Sequence, residues 1–171
     1  GENNGIEKTY LSYTRLLING ADVRGDLIVF DPQQGTEMIL NQDVSRDEMD
    51  CISRGCTLHP DLTWVGWLQK DNNKNSLWLA PIDTANRSVD IANKRLLSND
   101  AFRFEFTQDM IIYTELKDPS ALNGTSVKYE PLDGSADALE FALVNSSGGF
   151  SGTILGDLFI IIQTTLSTMS I

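Results

Sequence analysis

The sequence predicts an all-β fold made of β-propeller blades. Three similar segments recur at a spacing of 48 residues, and each contains a turn, an aspartate, one apolar residue and a β-rich run. A strand-rich period of ~40–50 residues is typical of propeller blades. No convincing helical pattern of ten or more residues interrupts the repeat. The segments are LHPDLTWVGWL (58–68), FTQDMIIYTEL (106–116) and ILGDLFIIIQT (154–164), with aspartates Asp61, Asp109 and Asp157.

The apolar runs of the repeat are continuous rather than strictly alternating, as at residues 111–113 and 159–162. Continuous runs are expected for strands that are covered on both faces. A four-stranded blade cannot bury both faces alone, and stacking blades in a ring does so while protecting most sheet edges. A β-sandwich is the alternative fold, because evenly spaced short strands also suit it.

The chain divides into a short tail and a repeat region. We expect residues 1–9 to be a tail and residues 10–171 to be the propeller segment, with units at approximately 10–56, 57–100, 101–147 and 148–171. Residues 130–133 (EPLD) echo residues 80–83 (APID), and residues 29–31 (VFD) hold the same hairpin position one unit earlier.

The repeat region holds about three and a half units by the repeat length, whereas closed propellers use about 4–8 blades. The fourth unit lacks its final hairpin. We therefore expect either a longer protein or a further chain to complete the ring, with a compact, irregular four-bladed ring as the less favoured option.

The charge balance excludes several partner classes. The 13 basic residues are scattered among 24 acidic ones, and the net charge is −11. Nucleic-acid binding requires clustered Lys and Arg, so nucleic acid and anionic membrane surfaces are not expected partners. No run reaches the ~18 apolar residues that span a bilayer. The acidic surface fits a secreted β-protein whose charge keeps it soluble and discourages edge pairing.

No catalytic set is evident in the sequence. An aspartate at the start of a strand can accept backbone N–H bonds, so we interpret Asp61, Asp109 and Asp157 as structural turn residues. The single histidine, His59, occupies a turn position and lacks the partners of a Ser-His-Asp triad. The segment 148–153 (GGFSGT) does not match a nucleophile elbow. We therefore predict no catalytic residue.

The two cysteines are close together. Four residues separate Cys51 from Cys56, and Gly55 permits a tight turn between them. A small disulfide-closed loop in an oxidising compartment is the favoured interpretation. Free thiols come second. A zinc site comes third, since Cys51, Cys56 and His59 would still need a fourth ligand.

Other ligand sites have weak signals. The Asp71–Asn75 turn is rich in oxygen ligands but lacks the spacing of a calcium loop, so calcium is only a weak expectation and no other cofactor is expected. Trp64, Trp67 and Trp78 could stack on sugars, although core packing is the favoured role for large aromatic residues.

Two segments of the chain resemble the repeat of TolB-like β-propellers. The resemblance rests on residues 59–61 (HPD), 64–67 (WVGW) and 77–78 (LW), and residues 106–133 repeat the layout in degenerate form. The glycine that follows the aspartate in that family is replaced here by Leu62, Met110 and Leu158. The resemblance implies a propeller used for protein–protein contacts in the periplasm or outside the cell.

These observations lead to three functional hypotheses. The first is a non-enzymatic, extracytoplasmic propeller module that binds a protein partner or a further chain that completes the ring. The second is a regulatory or substrate-gating propeller of a prolyl-oligopeptidase-like hydrolase with its catalytic domain elsewhere, because related propellers serve that role. The third is a glycan-binding or glycan-processing propeller, since carboxylate pairs and aromatic residues are the groups such sites require.

Overall fold

The structure is a computed structural model in which nearly every described element is a β-strand. The described residues are 11–19, 22–45, 47–51, 56–71, 74–116, 125–144, 150–155 and 158–163. The prediction of an all-β fold is confirmed. The first seven strands are β1 (Leu11–Asn19), β2 (Asp22–Asp31), β3 (Thr36–Ser45), β4 (Cys56–Leu58), β5 (Trp64–Asp71), β6 (Lys74–Asp83) and β7 (Ser88–Val89). The next seven are β8 (Arg95–Ser98), β9 (Ala101–Phe106), β10 (Met110–Leu116), β11 (Thr125–Pro131), β12 (Leu139–Val144), β13 (Phe150–Leu155) and β14 (Leu158–Gln163).

The strands form four antiparallel sheets in chain order. The first sheet has the order β1-β2-β3, and the second has the order β4-β5-β6-β7, with β8 also paired to β6. The third sheet has the order β12-β11-β10-β9, and the fourth is the hairpin β13-β14. The chain forms two compact units, one of residues 1–70 and 78–97 and the other of residues 71–77 and 98–171.

The core of the first unit lies between the first and second sheets. Apolar side chains of β2 and β3 on one side meet those of β5, β6 and β7 on the other. Trp67 is the largest fully buried side chain of this core. Burial of apolar area at roughly 25 cal/mol per Å² is the main force that holds two such sheets together. The core residues are Leu27, Val29, Leu40, Val44, Met49, Cys51, Leu62, Val65, Trp67, Ala80, Ile82 and Val89.

An aspartate at the end of one strand, or just after it, anchors the same hairpin in each of the first three sheets. The carboxylate oxygens of Asp31, Asp83 and Asp133 each accept a hydrogen bond from the backbone N–H two residues later, at 2.8, 3.0 and 2.9 Å. Such Asx turns hold the chain as it reverses. These aspartates therefore mark equivalent positions, and they show that β2, β6 and β11 are corresponding strands.

The hairpins after Asp31 and Asp83 each use a left-handed residue four positions on. Gly35 has φ 64° and Arg87 has φ 52°. A left-handed conformation costs a residue with a Cβ roughly 1–2 kcal/mol, whereas glycine adopts it freely. The two hairpins thus share a left-handed backbone conformation at this position, although only the first has glycine there.

We predict opposite effects of substitution at these two positions. Gly35→Ala should lower the free energy of unfolding by about 1 kcal/mol, since no atom lies within 4 Å of the added Cβ and only the backbone cost remains. Arg87→Gly should raise the free energy of unfolding or leave it unchanged. Urea unfolding measures the change in the free energy of unfolding for each variant. Equal destabilisation by the two substitutions would contradict the prediction.

The outer strand of the second sheet is divided into two pieces. β7 pairs with the end of β6 through Ile82 and Val89, and β8 pairs with β6 separately. Between them lies a 3-10 turn at Ile91–Asn93, and the Asp90 carboxylate caps it by accepting a hydrogen bond from the Asn93 N–H at 3.3 Å.

Candidate functional site

The turn before β5 is built around His59 rather than around Asp61. The buried His59 ring accepts a hydrogen bond at Nδ1 from the Asp61 N–H at 3.2 Å, and the same nitrogen lies 3.3 Å from Thr63 Oγ1. Thr107 has the equivalent role before β10, because its Oγ1 accepts from the Met110 N–H at 3.1 Å. His59 is therefore engaged in structure.

The 48-residue spacing of Asp61 and Asp109 does not match the correspondence of the strands that follow. The backbone oxygen of Thr63 accepts a hydrogen bond from the N–H of Ile82, which directly precedes Asp83. The backbone oxygen of Asp109 accepts one from the N–H of Leu132, which directly precedes Asp133. Asp109 therefore corresponds to Thr63. The turn before β5 is two residues longer than the turn before β10, and Asp61 lies in the extra part. Asp61 and Asp109 are both exposed turn residues, and Asp157 lies outside the described residues.

Leu62 explains why this repeat can lack the glycine of the TolB-like pattern. Its φ is 56°, a conformation that glycine favours, yet its side chain is 9% exposed and belongs to the core of the first unit. Burying a leucine side chain stabilises a fold by about 1.5–3 kcal/mol, whereas the left-handed backbone costs roughly 1–2 kcal/mol. The packing of Leu62 offsets its backbone strain.

The three tryptophans lie in different environments. Trp67 is fully buried, and its Nε1 donates to Gln69 Oε1 at 3.3 Å, so no ligand reaches it in this structure. Trp78 is half-buried against the core, and the Lys94 ammonium lies 4.7 Å from the centre of its ring. Trp64 is half-buried as well. A sugar-stacking role for Trp64 or Trp78 stays a prediction.

Cys51 and Cys56 form a disulfide, with their Cα atoms 4.8 Å apart. The favoured interpretation of the cysteines is therefore confirmed. Two side chains of β1 hold the bridged segment. Ser12 Oγ donates to Cys56 O at 3.3 Å, and Thr14 Oγ1 donates to Cys51 O at 3.4 Å. The disulfide thus fixes the chain between the first and second sheets and gives β1 two backbone acceptors.

A cleft of about 620 Å³ lies at the hairpin ends of the sheets of the first unit. Its apolar lining comes from Val29, Met38 and Leu62. Its charged lining includes Asp61 and Arg87. The volume falls within the ~300–1,000 Å³ range of small-molecule sites. Both non-glycine residues with positive φ in the described chain, Leu62 and Arg87, line it.

Two further carboxylates of this cleft are already engaged. Asp31 holds its own turn, and Glu37 accepts hydrogen bonds from Arg15, at 2.9 Å, and from the Tyr13 hydroxyl. The hydrogen bond to Glu37 raises the pKa of Tyr13. Among the described residues, the cleft therefore offers an apolar wall and the charges of Asp61 and Arg87, and it has no nucleophile and base in contact.

The carboxylate beside this cleft at Asp83 supplies a testable pKa. Hydrogen bonds from the backbone and the side chain of Asn86, at 3.0 and 2.6 Å, lower the pKa of Asp83 below its usual value. The interaction therefore contributes stability above the unfolded-state pKa and loses it as the pH falls through the folded-state value.

We predict that Asn86→Ala raises the pKa of Asp83 only part of the way to its usual value, because the backbone bond, which is the larger cause, remains. An NMR titration of the Asp83 side chain measures the shift. Asn93→Ala, which removes a similar bond to Asp90, is the matched control and should leave Asp83 unchanged. An unchanged Asp83 pKa in Asn86→Ala would contradict the prediction.

The second unit contains a group of buried and half-buried polar side chains centred on the third sheet. Glu115 is ion-paired with Lys128 and accepts from Ser98 Oγ at 2.8 Å. Tyr113 is 1% exposed, and burial, with Glu130 and Glu115 nearby, raises its pKa well above the usual range. The Ser126 hydroxyl is buried and has no hydrogen-bond partner within the described structure. These groups form a satisfied ion pair with one orphaned hydroxyl, and they include no nucleophile–base contact.

The described residues contain no group of three or more His, Cys, Asp or Glu side chains placed to hold a metal ion. Asn72 and Asn73 of the predicted calcium turn lie outside the described residues, so that expectation stays a prediction. Among the described residues, no helix is long and apolar enough to cross a membrane.

Comparison with solved structures places the fold. The chain is similar to the acylaminoacyl peptidase of Pyrococcus horikoshii, with a TM-score of 0.52 and 9% identity over 91% of this chain and 26% of that one. That peptidase contains a β-propeller domain. The fold of this chain is therefore that of β-propeller blades. The chain spans about a quarter of the peptidase's length, and at this identity the likeness concerns the fold alone.

The other comparisons add less. The tricorn protease matches with a TM-score of 0.43 and 7% identity over 77% of this chain and 17% of that one, too low to support an argument. No family model and no curated protein sequence matches the chain. The TolB-like type of repeat therefore stays a prediction, whereas the propeller fold stands.

Sequence reasoning missed two features of these sites. The sequence placed His59 in a turn, but it did not reveal the hydrogen bonds by which the His59 ring and the Thr107 hydroxyl hold their turns. The available signal was that both are polar residues two positions before a repeat aspartate. The cleft could not have been found from the sequence, because two hairpins and a turn from two different sheets line it.

Proposed function

We propose that this chain is part of a β-propeller that binds another protein in an extracytoplasmic compartment. The observation that carries the proposal is the exposed face of the first sheet, which we call the outer face and define by Leu11, Tyr13 and Arg15. Leu11 is 55% and Tyr13 is 40% exposed. An apolar surface on an edge strand is normally covered by another chain or element.

The internal repeat shows what the outer face lacks. Tyr13 pairs with Ile28, three residues before Asp31, and Ile111 pairs with Glu130, three residues before Asp133. Tyr13 and Ile111 therefore hold corresponding positions. Val65 corresponds to both because Thr63 matches Asp109. Val65 and Ile111 are 0% exposed. The position that is buried in two sheets is open in the first, which supports a covering partner.

The disulfide supports the extracytoplasmic location in this proposal. Structural disulfides persist in oxidising surroundings and are rare in reducing ones, and both cysteines of the Cys51–Cys56 bridge pack in or against the core of the first unit. The acidic composition is consistent with a secreted protein that must stay soluble.

A mass measurement tests the proposal. Light scattering of the native species, with mass spectrometry of every chain in it, should reveal a second protein or a longer polypeptide that supplies the missing propeller surface. A stable 171-residue monomer that captures no partner would contradict the binding role.

A second candidate is a gating propeller attached to a peptidase, and the likeness to acylaminoacyl peptidase favours it. This candidate requires a serine hydrolase domain in the same native polypeptide. Labelling with a fluorophosphonate probe distinguishes the two: a labelled polypeptide larger than 18.9 kDa supports gating, and an unlabelled native complex supports the binding module.

A further inference from the structure

Arg87, which lines the cleft of the first unit, has a left-handed backbone that glycine would adopt without strain. Its φ is 52°, and the equivalent Gly35 has φ 64°. Leu62 lines the same cleft with φ 56°, but its buried side chain offsets the strain. The Arg87 side chain is exposed, so burial supplies no such offset. Strained residues concentrate at ligand-binding sites, and Arg87 therefore indicates a ligand that uses its guanidinium.

Backbone pairing brings two charges of opposite sign to this end of the second sheet. The Thr63 carbonyl accepts a hydrogen bond from the Ile82 N–H at 2.8 Å, so the turn that holds Asp61 lies beside the hairpin that holds Arg87. Both side chains are exposed, and both line the cleft. The cleft thus presents a carboxylate and a guanidinium from neighbouring segments of one sheet.

The two carboxylates that the first sheet adds to the cleft are engaged locally. Asp31 Oδ1 accepts hydrogen bonds from the N–H groups of Gln33 and Gln34, and Glu37 is paired with Arg15. Both still add negative charge to the lining. Among the described residues, three carboxylates and one guanidinium line the cleft, so a ligand with only negative charge would be repelled. The ligand therefore needs a positive group as well as a partner for the guanidinium.

An apolar wall completes the cleft. Val29 is 2% and Leu62 is 9% exposed, and the half-buried Met38 packs against the same core. Pockets with an apolar lining and a few polar groups bind ligands that have an apolar body and a few polar ends. The volume of about 620 Å³ suits a small molecule rather than a folded domain.

We propose that this cleft binds a small zwitterion with an apolar body, of the class of an apolar amino acid or a short apolar peptide with free ends. The ammonium group faces Asp61, the carboxylate pairs with Arg87, and the apolar body lies against Val29, Met38 and Leu62. A guanidinium can bind a carboxylate through two parallel hydrogen bonds, which lysine cannot do. This inference goes beyond the proposed binding of a protein and does not depend on it.

A set of matched ligands tests each part of the proposal. L-leucyl-L-leucine carries both charged ends and two apolar side chains, and we expect it to bind with a Kd of about 0.1–1 mM. It should shift the amide NMR signals of Met38, Leu62 and Arg87. N-acetyl-leucyl-leucine lacks the ammonium and leucyl-leucine amide lacks the carboxylate, so each should bind about three- to tenfold more weakly.

Two further ligands define the body of the zwitterion. Glycyl-glycine has both charged ends without an apolar body, so it should not bind, and binding as tight as that of leucyl-leucine would contradict the role of the apolar wall. L-leucine separates the two sources of the same chemistry. Tighter binding of L-leucine would identify a free amino acid, and tighter binding of leucyl-leucine would identify a short peptide.

Variants assign each end of the ligand to a side chain. Arg87→Gly should keep the stability of the fold and should bind leucyl-leucine and its amide equally, while it still prefers a free ammonium. Asp61→Asn should show the reverse pattern, with equal binding of leucyl-leucine and the N-acetyl form. Lys70→Gln is the matched control, because Lys70 is an exposed cation on β5 that does not line the cleft, and it should leave both preferences unchanged. Arg87→Gln gives the same test if Arg87→Gly lowers stability.

Several results would overturn the inference. These are the absence of leucyl-leucine binding at about 10 mM, or a full preference for the carboxylate retained in both Arg87 variants. Tighter binding of the amide than of leucyl-leucine would identify a site for cations alone and would also overturn it. The proposed function is tested separately, because a partner protein found in the native species without leucyl-leucine binding leaves that function standing while this inference fails.

Discussion

Trp67→Ala is expected to lower the free energy of unfolding by about 3–5 kcal/mol, the range seen when a large buried aromatic is removed from a core. Trp67 is 0% exposed and packs among the residues that join the first and second sheets. The substitution leaves a cavity, and it also removes the indole donor to Gln69, whose side chain in turn donates to Asp47 O at 2.8 Å.

Urea unfolding followed by circular dichroism measures this loss. Trp67→Phe retains most of the packing and should cost about half as much or less, so it stays informative if Trp67→Ala does not fold. Leu96→Ala, at an exposed position, is the matched surface control and should change stability by no more than about 0.5 kcal/mol. A loss of less than 1 kcal/mol in Trp67→Ala would mean that the two sheets do not share this core.

Removal of the disulfide is expected to have the second-largest effect. The Cys51→Ala, Cys56→Ala double variant should lose about 2 kcal/mol, because a bridge that closes so short a loop removes only modest chain entropy from the unfolded state. Alanine is preferred to serine since Cys51 is 7% exposed, and a buried hydroxyl would add a desolvation cost.

Thermal unfolding with and without reductant tests the role of the bridge. For a chain of this length, 2 kcal/mol corresponds to a lower midpoint by about 4–8 °C. The wild-type protein should shift when reduced, whereas the double variant should not respond to reductant. Ser12 and Thr14 bind the carbonyls of the two cysteines, so amide exchange should also rise in β1. An unchanged midpoint in both cases would show that the loop is held without the bridge.

Local signals in the sequence predicted much of the fold. The disulfide was predictable because only four residues separate Cys51 from Cys56. The hairpin echo at Asp31, Asp83 and Asp133 marked positions that the structure shows to be equivalent Asx turns. Turn chemistry of this kind depends on the next two or three residues and therefore can be read from a short segment.

Spacing alone misaligned one part of the repeat. Matching Asp61 to Asp109 aligns β5 and β10 two residues out of register, because the turn before β5 is two residues longer than the turn before β10. An insertion in a turn changes the spacing without changing the strands, and the hydrogen bonds between strands are needed to find it. The turn acceptors, His59 and Thr107, lie just before those aspartates.

The sequence by itself determined the all-β class, the repeated hairpins and the disulfide, because strand patterns, turn residues and short loops are properties of neighbouring residues. Only the tertiary structure decided that Trp67 is inaccessible, that Leu62 accepts a left-handed backbone for its packing, and that Tyr13 is open where Val65 and Ile111 are buried. Burial and free edges depend on which distant strands meet, and that pairing is not contained in any local pattern.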